Sequence, residues 1–114
     1  MLSLNHKKLN VWIKSIELVI EIYGITERLP ADEKYGLISQ IRRAAVSIVS
    51  NISEGSSRKS KIERSRFYEI ARSSMVEIDS QIEICIVLNY LKENDIKDLT
   101  KLSNEVFAML SAMK

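Results

Sequence analysis

Gly36-Leu37-Ile38-Ser39-Gln40-Ile41-Arg42-Arg43-Ala44-Ala45-Val46-Ser47-Ile48-Val49-Ser50-Asn51-Ile52-Ser53-Glu54-Gly55 reads as one helix. Ile38, Ile41, Ala45, Ile48 and Ile52 recur at steps of three and four, the period of an amphipathic helix and not the alternation of a strand. Gly55 is the residue type best able to adopt the left-handed cap, so the helix is expected to stop there. Upstream, Pro30 ends the preceding element. Asp32 and Glu33 then sit where the positive end of a helix dipole favours acid, which places the helix start near Ala31.

Outward from this stretch the same period recurs. Leu9, Trp12, Ile16, Val19 and Tyr23 predict a first helix over residues 9–28 with that stripe facing inward. Beyond a loop at residues 55–59, Ser60-Lys61-Ile62-Glu63 has the pattern in which a serine hydroxyl and a glutamate three residues on satisfy free backbone donors, so Ser60 is the expected N-cap. Phe67, Ile70, Ala71, Ser74, Ile78, Ile82, Cys85 and Leu88 carry this third helix towards Leu91. Asn94-Asp95 interrupts it, and Asp95 is the expected cap of a fourth helix with the stripe Leu99, Leu102, Val106, Met109 and Met113. Four helices joined by short loops alternate in direction, so the fold class is all-α, an antiparallel up-down-up-down four-helix bundle, with residues 1–114 forming a single domain. Three glycines and one proline in 114 residues agree with helices over hairpins.

Composition narrows the chemistry. His6 is the sole histidine and lies in a segment expected to fray, which leaves nucleophilic catalysis without an ordered base. One cysteine and one histidine cannot make a structural zinc site, and no glycine-rich phosphate loop is present. No cofactor, metal or small-molecule substrate is expected, and the chain reads as no enzyme. Cys85 lies on the apolar stripe of the third helix and reads as a small buried hydrophobe. A lone cysteine offers no intrachain disulfide, and no apolar run reaches membrane-spanning length, so a cytoplasmic protein with no membrane partner is the expectation.

Two features exceed an ordinary wet surface. Only Arg42, Arg43 and Glu54 are charged among residues 36–56, and Gln40, Arg43, Ser47, Asn51 and Glu54 share a stripe of mostly small or neutral polar groups opposite the isoleucines. Exposed helix faces more often carry Lys and Glu, so this stripe reads as a subunit interface or polar network of a homo-oligomer, against the plainer reading of a hydrophilic surface. The second feature is charge. Residues 1–76 hold 13 Lys/Arg against 8 Asp/Glu, and Arg58, Lys59, Lys61, Arg64, Arg66 and Arg72 gather where the third helix begins, opposed by Glu63 and Glu69. Cations at a helix N-terminus oppose its dipole, which points to a polyanionic partner such as RNA or DNA, or else to a plain solvated loop. Neither helix-turn-helix spacing nor a set of stacking aromatics accompanies the cluster.

The motif Tyr35-Gly36-Leu37-Ile38-Ser39-Gln40-Ile41-Arg42-Arg43-Ala44-Ala45-Val46-Ser47-Ile48, followed by Asn51-Ile52-Ser53-Glu54-Gly55, resembles the signature of the bacterial four-helix bundle family also called the S23 ribosomal protein family or 23S rRNA intervening-sequence proteins. The Leu9-x-Val11-Trp12 opening, Leu29-Pro30-x-x-Glu33, and Ile70-Ala71-Arg72-Ser73-Ser74 leading to Glu77-Ile78 extend the likeness over nearly the whole chain. Arg72-Ser73-Ser74 departs from the pattern, since many members have a glycine before the second serine. The resemblance implies a bundle that assembles into a homopentameric ring, with Arg43, Asn51, Glu54 and Glu77 in a polar network within or between subunits; the antiparallel run of the second and third helices across the loop at residues 55–59 is expected to bring Arg43 near Glu77. A related branch resembles accessory proteins that associate with nucleic acid and a reverse transcriptase, so the alternative to nucleic-acid binding is a module docking a protein such as a polymerase or reverse transcriptase. The ribosomal label carries no implication of ribosome membership.

Overall fold

The computed structural model describes residues 1–113, which form four α-helices: α1 (Asn10–Thr26), α2 (Leu37–Ser57), α3 (Lys61–Val87) and α4 (Lys97–Ala112). Short 3-10 turns lie at Asn5–Lys8, Ala31–Glu33 and Glu93–Ile96. Each helix packs chiefly on two others, α1 on α2 and α4, and α3 on α2 and α4, which is the square arrangement of an up-down bundle. Leu18, Ile22, Ile41, Ile48, Ile52, Ile78 and Val106 form its centre, each fully buried. Two buried hydroxyls are satisfied within α1: Ser15 donates to the Trp12 carbonyl at 2.7 Å and Thr26 to the Ile22 carbonyl at 2.7 Å.

The boundaries depart from expectation in four places. Helix α2 begins at Leu37, because residues 31–33 close a tighter 3-10 turn. It continues through Gly55 to Ser57, and Gly55 is a buried helical residue and not a left-handed cap. A Cβ there would lie 2.8 Å from the Tyr68 ring and 2.9 Å from Phe67, so close packing against α3 is what requires glycine. Helix α3 ends at Val87, earlier than Leu91. Asn89 takes φ 64°, with the Tyr90 N–H donating to the Cys85 carbonyl at 2.9 Å and the Asn89 N–H to the Ile86 carbonyl at 3.0 Å, the paired bonds of a Schellman stop. Asp95 does not cap α4. Its carboxylate accepts the Lys92 N–H at 2.9 Å and closes the 3-10 turn, and Ile96 is the residue ahead of α4. Ser60, by contrast, caps α3 as expected, accepting the Glu63 N–H at 3.3 Å.

Helix α1 is rotated relative to its expected face. Val11, Ser15, Leu18, Ile22 and Ile25 point into the core, while Leu9 and Tyr23 are exposed and Trp12, Ile16 and Val19 are half-buried. Along α3, Tyr68 and Met75 join the core, whereas Ile70 and Leu88 stay exposed. His6, rather than lying loose, sits edge-on to Trp12 with ring centroids 5.7 Å apart.

Candidate nucleic-acid interface and the seam behind it

Three residues, Arg58, Lys59 and Ser60, connect α2 to α3 and form one end of the bundle. The turn is held from within. Arg64 donates from Nη1 to the carbonyls of Arg58 at 3.1 Å and Lys59 at 2.7 Å, so its guanidinium ties the connecting loop back to α3. The Arg58 guanidinium lies 4.9 Å over the Phe67 ring, which fixes its direction while leaving the charge exposed. Lys59, Lys61 and Arg66 are exposed, and among the described residues none of them makes an ion pair. The tip therefore presents Arg58 and Lys59 on a turn held by Arg64, with Lys61 at the start of α3 and Arg66 five residues further along it.

Arg72 does not belong to this cluster. Its Nε donates to Ser111 Oγ at 3.0 Å, its guanidinium lies 4.6 Å over Phe107, and Nη1 is 3.7 Å from Glu69. It is a strut between α3 and α4, roughly 16 Å along the helix from Lys61 at about 1.5 Å per residue.

The expected polar network divides in the same way. Asn51 Nδ2 donates to the Ser47 carbonyl at 2.8 Å and to Ser47 Oγ at 3.0 Å, and Ser74 Oγ donates across the α2–α3 seam to Ser47 Oγ at 3.2 Å. Glu77 accepts from Gln81 Nε2 at 3.0 Å, and Gln81 Oε1 is buried with no partner among the described residues. Gln40, Arg43 and Glu54 face solvent, and Arg43 forms no ion pair with Glu77 among the described residues. The neighbouring Arg42 is the arginine that ties the helices together. Its Nε donates to Thr26 Oγ1 at 2.9 Å, its Nη2 donates to the Tyr23 carbonyl at 3.2 Å, and the guanidinium lies 4.4 Å over the Tyr23 ring. Adjacent arginines on a helix point roughly 100° apart, but only the tertiary placement of α1 selects which one is used.

Elsewhere, α3 and α4 leave a groove of about 360 Å³ with Ile78, Ile82, Leu99 and Phe107 in its lining and Asp79 and Glu83 at its edge. Among the described residues no group of three His, Cys, Asp or Glu side chains is placed to hold a metal ion. Burial raises the Cys85 thiol above its ordinary value of 9.0, with the Glu33 carboxylate adding to the effect, so it stays protonated at neutral pH. Among the described residues no helix is long and apolar enough to cross a membrane.

Fold and surface together define an all-α up-down four-helix bundle with a basic hairpin tip. The chain belongs to the 23S rRNA-intervening sequence protein family, which it matches over residues 7–112. It is similar in structure to a protein of unknown function from the S23 ribosomal protein family of Bacteroides thetaiotaomicron, with 24% identity and a TM-score of 0.82 over 91% of this chain and 98% of that one. No curated protein matches it.

Proposed function

We propose that the chain is a non-enzymatic scaffold that self-associates and holds a polyanion, RNA or DNA, on its α2–α3 tips. One observation carries the polyanion reading: Lys59, on a turn that Arg64 fixes through the Arg58 and Lys59 carbonyls, and Lys61 and Arg66, on the first turns of α3, stand exposed with no ion pair among the described residues. A fixed turn removes the backbone ordering cost at binding and leaves only that of the side chains. Phosphates would supply the compensation that the α3 dipole does not. Assembly would multiply the effect, since several weak tips on one particle act at high effective concentration.

The test is the affinity of a short labelled DNA duplex across a salt series. Wild type is expected to lose affinity steeply, with a log-log slope of about −0.9 per phosphate neutralised. Lys59→Glu, Lys61→Glu and Arg66→Glu together are expected to remove most of the binding at low salt, while Arg72→Ala, for all its cost to stability, leaves the slope unchanged. A wild type that binds no duplex at low salt rejects the polyanion reading. The second reading, a protein-docking module, is favoured by the α3–α4 groove, whose apolar lining and Asp79–Glu83 edge suit a basic amphipathic helix of a partner such as a polymerase or reverse transcriptase. Asp79→Lys with Glu83→Lys would weaken that docking and leave duplex binding no weaker.

A further inference from the structure

We infer that the polyanion held at this end of the bundle is a duplex, gripped on one backbone by the α2–α3 tip and on the other by the 3-10 turn Asn5–Lys8. The inference rests on the polyanion reading proposed above and names its ligand class and its second wall.

The fold brings this turn and the tip to one end. Trp12 Nε1 donates to Ser53 Oγ at 3.1 Å, and Ser53 Oγ donates in turn to the Val49 carbonyl at 3.0 Å, which ties the start of α1 to the last turns of α2. The two helices are antiparallel, so four residues back from Trp12 and four forward from Ser53 bring Lys8 level with Ser57, the last residue of α2. The 3-10 turn packs on both helices. It is held from within, since His6 lies edge-on to Trp12 and the Lys7 ammonium donates to the Leu2 carbonyl. Lys8 is exposed and makes no ion pair among the described residues.

Charge is polarised along the bundle. Residues 5–8 and 54–66 together hold seven Lys/Arg against two Asp/Glu, whereas residues 27–34 and 92–98, at the opposite end, hold four against six. A polyanion is therefore drawn to the first end and away from the second.

Two observations select a duplex over a single strand. Single strands are held by aromatic faces on which bases stack, and the rings at this end are already engaged. Trp12 is met by His6 and Ser53, Phe67 lies under the Arg58 guanidinium, and Tyr68 is buried with its hydroxyl 3.0 Å from Ser56 Oγ. The second observation is spacing. Lys8 directly precedes α1 and Lys61 opens α3, helices that stand diagonally in a bundle 27 and 20 Å across its shorter axes. Cations at diagonal corners of that end reach phosphates on either side of a groove about 12 Å wide, which a single strand lacks.

The experiment measures affinity for a short labelled DNA duplex and for one of its strands across a salt series, with circular dichroism and a thermal melt as checks of folding. Wild type is expected to hold the duplex more tightly than the strand at every salt concentration. Lys7→Gln with Lys8→Gln is expected to make the duplex log-log slope shallower by about 0.9 for each lysine that meets a phosphate. Lys34→Gln with Lys101→Gln removes the same charge from exposed positions away from the tip and is expected to keep the wild-type slope. Trp12 is the sole tryptophan, so its emission, excited where nucleic acid does not absorb, is expected to change on adding duplex. A strand held as tightly as the duplex would overturn the ligand class. A folded Lys7→Gln, Lys8→Gln chain with the wild-type slope, or a control pair that lowers the slope equally, would overturn the second wall; all these outcomes leave the polyanion reading standing. A wild type that binds neither form at low salt would overturn both.

Discussion

Gly55, Arg42 and Tyr90 show how single residues set this bundle. At Gly55 the gain in helix propensity from alanine, about 1 kcal/mol, competes with a Cβ driven to 2.8 Å from the Tyr68 ring. Overpacking of this kind costs about 1–3 kcal/mol, so Gly55→Ala is expected to lower the melting temperature even though alanine is the better helix former. Removal of Arg42 leaves the α1 end without two donors and a stacked cation, and Arg42→Ala is expected to cost about 1–3 kcal/mol in denaturant unfolding. Tyr90 donates to Glu33 Oε2 at 3.1 Å, and this bond, with smaller contributions from burial and nearby negative charge, raises its pKa above the ordinary 10.0. The protonated phenol is the form the fold favours, so its contribution is complete below pH 10 and fades as pH rises through the raised value. The stability gap between wild type and Tyr90→Phe should therefore be flat from pH 7 to about 9 and narrow above pH 10. A gap that widens there would contradict this assignment.

At the scale of elements, the sequence is legible where local chemistry decides and misleading where tertiary placement decides. The period of α2, the Ser60 cap and the α4 stripe at Leu99, Leu102 and Val106 follow from spacing and side-chain donors alone, and the structure contains all of them. The buried face of α1 is hidden from a reading by period because the helix carries apolar residues on both faces, so Leu9-Trp12-Ile16 and Val11-Ser15-Leu18 fit equally well. The stop at Asn89 gives a weak signal because asparagine takes the left-handed conformation less often than glycine. The basic tip is legible as a cluster, but the division of labour within it is not: that Arg64 braces the turn and Arg72 bridges to Ser111 depends on where carbonyls and α4 lie in space. Ser60→Ala is expected to cost about 1 kcal/mol, read as a lower denaturant midpoint, and Arg64→Ala to loosen the turn and weaken duplex binding beyond the loss of one charge.

For the whole molecule, four helices enclose one core and leave two surfaces unspent, an apolar stripe along α1 and a basic tip between α2 and α3. Self-association, as proposed above, would bring several such tips onto one particle. Cys85 lies within the core with no exposed surface, so its alkylation in the native protein should follow global unfolding and slow with added stability. The measurement that tests the account most directly is solution mass with and without a short DNA duplex, for wild type and for the chain carrying Lys59→Glu, Lys61→Glu and Arg66→Glu. The account predicts a multiple of 13.1 kDa that gains mass with duplex in wild type and not in the substituted chain. A 13.1 kDa wild type, or an assembly that ignores the duplex at low salt, would contradict it.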